Sequence, residues 1–311
     1  MEFQQWNFSI QHSVSSRLLA TLAYVGNRSH HQSMRFNPNQ ALQAADPSNL
    51  TTIQSRRPNP SVGDVTEQDN IANATYDSLQ ATVRYRLNAG LSVQANYSFS
   101  KALDVADGGI TFPADGHNIK GSYGVANTDR AQTFNASYTY QLPIGAGKPF
   151  LGQLGWVSKQ VLGGWNLSGV ASITTGPPFE VTATDTSSTG NVHTVPADRI
   201  CNGNLPSSQR SITHWFNTPC FVQPATGRIG NEGRDVLWAP GSTQFDLSAY
   251  KRFPFGEKRW VQLRADYFNA FNHPNFTIGG TGVQTLTQST YGQLVAAYPS
   301  RNLVLSLKVA F

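Results

Sequence analysis

The strongest constraint in this sequence is an alternation of apolar and polar residues that continues to the C-terminus. On an extended chain, alternate side chains point to opposite faces. In the final stretch, RNLVLSLKVAF, one face would carry Leu303, Leu305, Leu307, Val309 and Phe311. A face this apolar must meet either a second sheet, as in a soluble sandwich, or lipid, as in an outer-membrane barrel.

The same period of two returns in eight earlier segments. They begin near Trp6, Leu18, Leu79, Leu91, Phe134, Trp165, Phe245 and Val261. Together with the C-terminal segment they predict about nine strands of roughly ten residues each, which is the length of a tilted strand that crosses a bilayer.

The connections between these segments alternate in length. SVSSR, RLNAG and FPFGEK are tight, and residues 142–164 form a longer linker on the same side. Residues 28–74, 102–128, 176–242 and 273–301 are long, polar and rich in Pro, Gly and Asn. Outer-membrane barrels sort short periplasmic turns from long extracellular loops in this way. We therefore predict an all-β, antiparallel transmembrane β-barrel segment in the outer membrane of a Gram-negative-type bacterium.

Composition agrees with strands that have a wet face. Hydrophobic residues make up 39% and charged residues 13% of the 311 residues, so much of the polar surface is uncharged. No run approaches the ~18 apolar residues of a spanning helix, which argues against an α-helical membrane protein. The net charge is +5, but Lys and Arg are scattered, so nucleic acid is not an expected partner.

Direction along the chain raises an expectation about its start. With the long loops outside the cell, the first and the ninth strands both run inward, and Phe311 lies on the periplasmic side. An odd count does not close a bacterial barrel of even strand number. We therefore expect a further strand before Met1. The opening MEFQQWNFSI also lacks the basic and apolar regions of a secretory signal.

Several long stretches resemble one known family. They are QQWNFSIQ, YDSLQATVRYRLNAGLSVQANYSFSKALD, GGWNLSGVASITTGPPFEV, WFNTPCFVQPATGRIGNEGRDVLWAPGSTQFDLSAYKRF and VQLRADYFNAFNHPNF, followed by Phe311. The chain resembles the barrel domain of Oar-like TonB-dependent outer-membrane receptors, which carry a carboxypeptidase-regulatory-like domain.

The resemblance implies a barrel of about 22 strands around a plug domain. Residues 1–311 match its C-terminal portion, while the plug, the TonB-pairing segment and a signal peptide are not seen in this sequence. The expected function is binding or passage of a large solute, with TonB as a partner only through the part that is not present. Outer-membrane lipid and the barrel insertion machinery are the other expected partners, the latter reading the terminal row that ends in Phe311.

Two alternatives remain open from the sequence. One is a small stand-alone porin-like barrel, and the other is a soluble extracellular β-sheet adhesin. The sorted loops and the terminal aromatic residue favour a membrane barrel over the adhesin.

The catalytic motifs in the sequence are explained better by strand structure. Ser98 and Lys101, like Ser248 and Lys251, fit the S-x-x-K pattern of penicillin-binding enzymes. Residues three apart on a strand point to opposite faces, so the Lys could not activate the Ser. The sequence predicts no catalytic residue and no enzyme activity.

Candidate metal ligands and both cysteines lie in the long loops. His30 and His31 share a long loop with Asp64, Glu67 and Asp69, but no H-x-x-x-H or calcium-loop spacing occurs, so we expect no metal site and no cofactor. Cys201 and Cys220 are the two cysteines, and both lie in the longest loop. In an oxidising location such a pair is expected to form a disulfide, although two free thiols are the alternative.

Aromatic residues near the strand ends predict the interfacial girdles of a barrel, although core packing would use the same residue types. They are Trp6, Tyr24, Tyr85, Tyr140, Trp165, Trp260 and Tyr267.

Overall fold

A computed structural model describes most of the chain. The described residues are 1–46, 51–87, 90–106, 112–145, 148–151, 161–190, 195–255, 258–278 and 284–311. Parts of the predicted turns RLNAG and FPFGEK, and of the linker 142–164, lie outside these ranges.

Nine long strands follow one another in the described residues. They are β1 (Glu2–Ser15), β2 (Leu18–Phe36), β3 (Glu67–Leu87), β4 (Leu91–Asp104), β5 (Gln132–Gln141), β6 (Trp165–Thr174), β7 (Ser242–Pro254), β8 (Trp260–Phe268) and β9 (Asn302–Ala310). Each pairs antiparallel with its neighbours in sequence order, and the short strand Gly124–Val125 pairs with β4. The predicted fold class, an antiparallel outer-membrane barrel segment, is confirmed.

Short elements occupy the loops. Strand pairs of two residues are formed by Pro178–Phe179 with Leu237–Trp238, Thr182–Ala183 with Val195–Pro196, Asp198–Arg199 with Phe221–Val222, and Phe276–Thr277 with Ala296–Ala297. Turns of 3-10 helix span Gln54–Arg56, Ile119–Ser122, Ser207–Gln209 and Thr218–Cys220. Within the described ranges, no helix has the length and apolar character needed to span a bilayer.

The strands of the first hairpin continue past the predicted membrane segment. The sequence predicts a loop from residue 28 to residue 74, whereas β2 reaches Phe36 and β3 begins at Glu67. The pairing shifts register between Ser29 and Gln32, but it continues to the pair Phe36 and Glu67. Outside the bilayer a strand has no lipid-facing row to fill, so this extension carries no regular apolar alternation by which it could be recognised.

Strand register gives the sheet two chemically distinct faces. Leu305 pairs with Ala265, Ala265 pairs with Ala249, and Ala249 pairs with Leu167, so these residues share one face. We call it the apolar face. Following the pairs across the sheet, it also carries Phe8, Ile10, Leu22, Tyr24, Leu79, Val83, Tyr97, Phe99, Phe134, Tyr138, Phe245, Leu247, Leu263, Tyr267, Leu303, Leu307 and Val309.

The opposite, polar face is linked by side-chain hydrogen bonds between neighbouring strands. Arg264 Nε donates to both carboxylate oxygens of Asp266, at 2.9 and 2.8 Å, and Asp266 also accepts a bond from the Ser248 hydroxyl. Thr82 Oγ1 donates to Asn96 Oδ1 at 3.1 Å. Such groups suit water or polar protein, so the two faces require different surroundings.

Close packing across the first strand pair fixes the position of Trp6. A Cβ built on Gly26 would lie 2.3 Å from the Trp6 indole, so only glycine leaves room for the ring there. Arg28 lies over the same ring, 5.4 Å from its centroid, and its Nη2 contacts Asp77 Oδ2 at 2.9 Å. The Tyr24 hydroxyl donates to Asp77 at 2.7 Å. Edge strand β1 is thus held to β2 by side chains as well as by its backbone ladder.

The hydrophobic core lies in the loops. One cluster of buried residues consists of Phe179, Val181, Ala183, Ala197, Phe216, Cys220, Phe221, Leu237 and Ala239. All nine belong to the loop between β6 and β7. The apolar face of the sheet is exposed to its surroundings. The hydrophobic core is therefore formed by the loops, which lie in water.

The face assignment predicts different costs for two adjacent substitutions in β9. Leu305 is on the apolar face and 72% exposed, whereas Ser306 pairs with Arg264 on the polar face. In the assembled barrel, Leu305→Lys should destabilise by about 2–4 kcal/mol, the cost of a cation near the bilayer midplane. Ser306→Lys should cost little. Urea titration of protein folded into lipid vesicles measures both, and equal losses would contradict the assignment.

Candidate functional site

The extracellular loops pack together and enclose a cavity of about 630 Å³. Its walls come from the loop between β4 and β5, the loop between β6 and β7, and the loop between β8 and β9. Gln43, from the loop between β2 and β3, also lines it. Four loops that are distant in sequence therefore meet around one space. Cavities that bind small molecules have volumes of about 300–1,000 Å³.

The cavity lining is polar and carries more acidic than basic groups. Side-chain amides are supplied by Asn118, Asn231 and Gln284, among others. The charged lining residues are Asp115, Glu180, Arg234 and Asp235. Three carboxyl groups against one guanidinium favour neutral or cationic groups in the cavity over anionic ones.

Arg234 connects the loop between β6 and β7 to the end of β4. Its Nη1 contacts Asp104 Oδ1 at 2.5 Å and donates to the Asp104 carbonyl at 3.0 Å. The same nitrogen lies 3.4 Å from the Ser122 carbonyl oxygen. A Cβ on Gly124 would come within 2.8 Å of Arg234 Cβ, so this glycine lets the two loops approach. The guanidinium has a structural role at the base of the cavity.

Glu232 is buried beside the cavity, inside the loop between β6 and β7. Only 3% of it is exposed, and the Val181 N–H donates to both of its carboxyl oxygens at 2.9 Å. The Glu232 N–H donates to the Ala197 carbonyl at 3.1 Å. Burial raises the pKa of Glu232 to about 9, so the carboxyl is neutral at pH 7. A neutral acid here ties together three parts of one loop.

The loop core beside Glu232 is built from aromatic rings. Phe216 makes edge-to-face contacts with Phe179, Phe221 and Tyr291, with ring centroids 5.7, 5.7 and 5.3 Å apart. Tyr291 comes from the loop between β8 and β9, so this cluster joins two loops. Burial also raises the pKa of the Tyr291 hydroxyl above its ordinary value.

Asn39 holds the loop between β2 and β3 together, and Gln40 joins this loop to the other loops. The Asn39 side-chain amide donates to the carbonyls of residues 59, 62 and 63, at 3.1, 3.0 and 2.8 Å. Gln40 donates to the Ala114 carbonyl and to Thr189 Oγ1, both at 3.1 Å, and accepts from the Gly116 N–H at 2.7 Å. We call the four packed loops the loop cap.

The two cysteines meet inside the loop cap. Cys201 and Cys220 form a disulfide with a Cα–Cα distance of 4.9 Å and a sequence separation of 19. Cys220 is completely buried in the aromatic cluster. The bridge joins two segments of the loop between β6 and β7 at the buried aromatic cluster.

The other sequence candidates do not form reactive sites. Ser98 and Ser248 point to the polar face, whereas Lys101 and Lys251 share the opposite face with Leu79 and Leu263. His30 Nδ1 lies 3.1 Å from Asn73 Oδ1. In the ranges that the structure describes, no three His, Cys, Asp or Glu side chains are grouped as metal ligands.

Six of the seven predicted girdle aromatics lie on the apolar face. Tyr85, Tyr140 and Trp165 are near the short-turn ends of their strands, and Trp6, Tyr24 and Tyr267 are nearer the loop cap. Trp260 shares the other face with Gln262, where Arg252 and Lys308 lie 4.7 and 5.6 Å from its ring. The rows at both levels match the two interfaces of a bilayer.

Sequence reasoning missed the residues that organise the loop cap. Gln40, Glu232 and Arg234 lie in segments that read as polar, solvated loop. A signal was present in GRIGNEGRD, where glycines lie on both sides of Glu232. A Cβ on Gly230 would come within 2.1 Å of the Pro196 carbonyl, and Gly233 has φ of +81°. Such glycines mark close packing and a turned backbone, and therefore a compact segment.

The sheet, its two faces and the sorted connections define an outer-membrane β-barrel protein. A family model described as "Outer membrane beta barrel domain" matches residues 1–303, and the chain belongs to this family. A search of curated proteins gave no match.

A comparison with solved structures gave matches to outer-membrane proteins. The outer membrane transporter YddB from Escherichia coli matches with a TM-score of 0.50 and 10% identity, over 99% of this chain and 32% of that chain. BauA, the ferric preacinetobactin receptor from Acinetobacter baumannii, matches with a TM-score of 0.48 and 11% identity, over 99% and 29%. The ferripyoverdine receptor of Pseudomonas aeruginosa matches with 0.45 and 16%, over 99% and 27%. The chain thus spans about a third or less of the length of these proteins.

The buried acid predicts that the loop cap loosens as the pH rises. The pKa of Glu232 is raised from 4.5 to about 9, so folding favours its protonated form. Its contribution to stability is therefore complete below pH 4.5 and is lost progressively as the pH rises towards 9. Limited proteolysis of the loops in the assembled barrel should show faster cleavage at pH 9 than at pH 6.

Glu232→Gln should flatten this pH dependence, because the neutral amide still accepts from the Val181 N–H. Glu2→Gln is the matched control, since Glu2 is exposed on β1 and should leave the profile unchanged. Parallel pH profiles for Glu232→Gln and the unmodified protein would show that another group is responsible.

Proposed function

We propose that this chain is the C-terminal portion of the barrel of a TonB-dependent outer-membrane receptor of the Oar type, which binds a large polar solute in its loop cap and passes it inward. The observation that supports this proposal is the combination of an open sheet with a cap of four packed loops around a cavity. The resemblance of the long stretches noted above supports the subfamily.

The open edges support a larger barrel. In the described residues, β1 pairs with β2 alone and β9 pairs with β8 alone, so each leaves one edge of backbone groups without a strand partner. Lipid cannot hydrogen-bond these groups, and a barrel avoids the cost by closing. A stand-alone porin-like barrel would pair β1 with β9, but these strands lie at opposite ends of the sheet. Further strands of the same protein are therefore the proposed neighbours of both.

Partners follow from this proposal. Lipid contacts the apolar face, and TonB is the proposed partner of the whole receptor. The insertion machinery reads the terminal row of Leu303, Leu305, Leu307, Val309 and Phe311. Solute passage of this kind requires no cofactor, metal or catalytic group, and the Cys201–Cys220 bridge stabilises the loop cap outside the cell.

Residues 1–311 expressed alone behind a signal peptide should fail to form a barrel that resists heat and detergent. Electrophoresis without boiling measures this, because a closed barrel migrates differently before and after heating. The matched control is the same segment within the longer protein that carries it, which should show the shift. A heat-shifting monomer of residues 1–311 would overturn the proposal of a partial barrel and favour the porin-like alternative.

Filling the cavity should weaken solute binding. Ser122 lines the cavity and makes its described contact to Arg234 through its carbonyl, so its side chain can be changed with little structural cost. The assembled receptor would be incubated with spent growth medium, washed, and analysed by mass spectrometry for retained small molecules. Ser122→Trp should retain about tenfold less than the unmodified receptor, a loss of ~1.4 kcal/mol. Ser122→Ala is the size control, and equal retention by all three would exclude the cavity as the site.

A further inference from the structure

The connection between β5 and β6 is the long exception on the periplasmic side. We call residues 142–164 the β5–β6 linker; its described residues are 142–145, 148–151 and 161–164. The sheet ladder extends into it, because the Leu142 N–H donates to the Trp165 carbonyl at 2.9 Å. The linker therefore starts and ends at the lower rim of the sheet, where the short turns lie.

Backbone contacts order the outgoing end of the linker and hold it against the returning end, where the Gly164 N–H donates to the Ile144 carbonyl at 3.4 Å. The Phe150 N–H donates to the Pro143 carbonyl, and the Gly145 N–H donates to the Phe150 carbonyl, both at 3.1 Å. A Cβ on Gly145 would be 2.9 Å from the Cα of Gly163, so the returning chain passes directly against the outgoing one. The described part of the linker is an ordered structure at the rim.

The returning end lies on the apolar side of the sheet. Trp165 pairs with Lys251 and shares the apolar face with Leu167, and its Nε1 donates to the Val161 carbonyl at 2.9 Å. A side chain on the apolar face can reach this carbonyl only if the backbone at Val161 is on the same side. The returning end of the linker is thus turned outward, towards the lipid side, and away from the polar face.

Burial of Lys251 agrees with this placement. Lys251 is on the apolar face, yet only 3% of it is exposed, whereas its neighbour Leu263 on β8 is 44% exposed. A Cβ at Gly164 would lie 4.0 Å from Lys251 Cε. Protein therefore covers the apolar face at this level of β7, beside the end of the linker, and leaves it open farther along β8.

The described linker exposes four large apolar side chains. Phe150, Leu151, Val161 and Leu162 are 62%, 46%, 59% and 46% exposed. Such a group on a surface in water would be unfavourable and marks contact with another apolar phase. It lies at the level of Tyr140 and Trp165, the aromatic residues of the periplasmic bilayer interface.

We infer that the described ends of the β5–β6 linker form a membrane-interface anchor, which inserts Phe150, Leu151, Val161 and Leu162 into the periplasmic phospholipid leaflet beside the barrel. Phospholipid is the occupant because the four side chains continue the apolar face that lipid already contacts. A segment in the interface needs apolar side chains and paired backbone groups. The described ends of the linker expose the four apolar side chains, and the N–H groups of Leu142, Gly145 and Phe150 are paired. The anchor requires only a barrel in a bilayer and is independent of the solute.

Fluorescence quenching by lipid tests the depth of the linker. Leu162→Cys carries an environment-sensitive fluorophore in the assembled barrel, reconstituted in phosphatidylethanolamine and phosphatidylglycerol vesicles. Some of the lipids carry a nitroxide either near the head group or near the chain end. We expect the probe at position 162 to be quenched about twofold more strongly by the shallow nitroxide than by the deep one, as for a segment that lies 5–10 Å into the boundary.

Two control positions separate the possible failures. Leu305→Cys on the apolar face should be quenched by the deep nitroxide, and Val62→Cys in the loop cap by neither. If the probe at 305 responds but the probe at 162 behaves like that at 62, the anchor is overturned while the barrel stands. If the probe at 305 fails to respond, the placement of the sheet itself is wrong, and the anchor falls with it.

Discussion

The backbone hydrogen-bond ladder is the constraint on which this structure depends. Inside a bilayer every N–H and C=O must be paired within the protein, and a sheet satisfies them only strand by strand. Strand register then determines which face each side chain occupies, because a shift of one residue would exchange the apolar and polar faces. The continuous pairing from β1 to β9 therefore gives lipid one surface and water the other.

Much of the sheet was predictable from sequence because lipid imposes a simple rule. Rows such as Leu303 to Val309 must alternate, so the alternation identifies the strands and their length together. The predicted strand from Trp165 to Thr174 has the same bounds in the structure. The rule does not apply outside the bilayer, so the sequence pattern did not predict the extension of β2 to Phe36.

The loop cap was far less predictable, for a physical reason. Its contacts join residues distant in sequence, such as Gln40 with Thr189, and no local periodicity records such a pairing. Only the two cysteines were recognised as an element of the loops. The buried Glu232 resembles any solvated loop acid until its neighbours are known, because burial is a property of the fold and leaves no mark on a single residue.

The location of the hydrophobic core also constrains the order in which the protein inserts and folds. The cluster around Phe216 can assemble only after the segment between β6 and β7 has crossed the bilayer as an extended chain, since a folded cap is much wider than one strand. Once packed and bridged between Cys201 and Cys220, that segment cannot return without unfolding. The folded loop cap therefore prevents this segment from passing back through the membrane. Its folding on the far side fixes the orientation of the protein in the membrane.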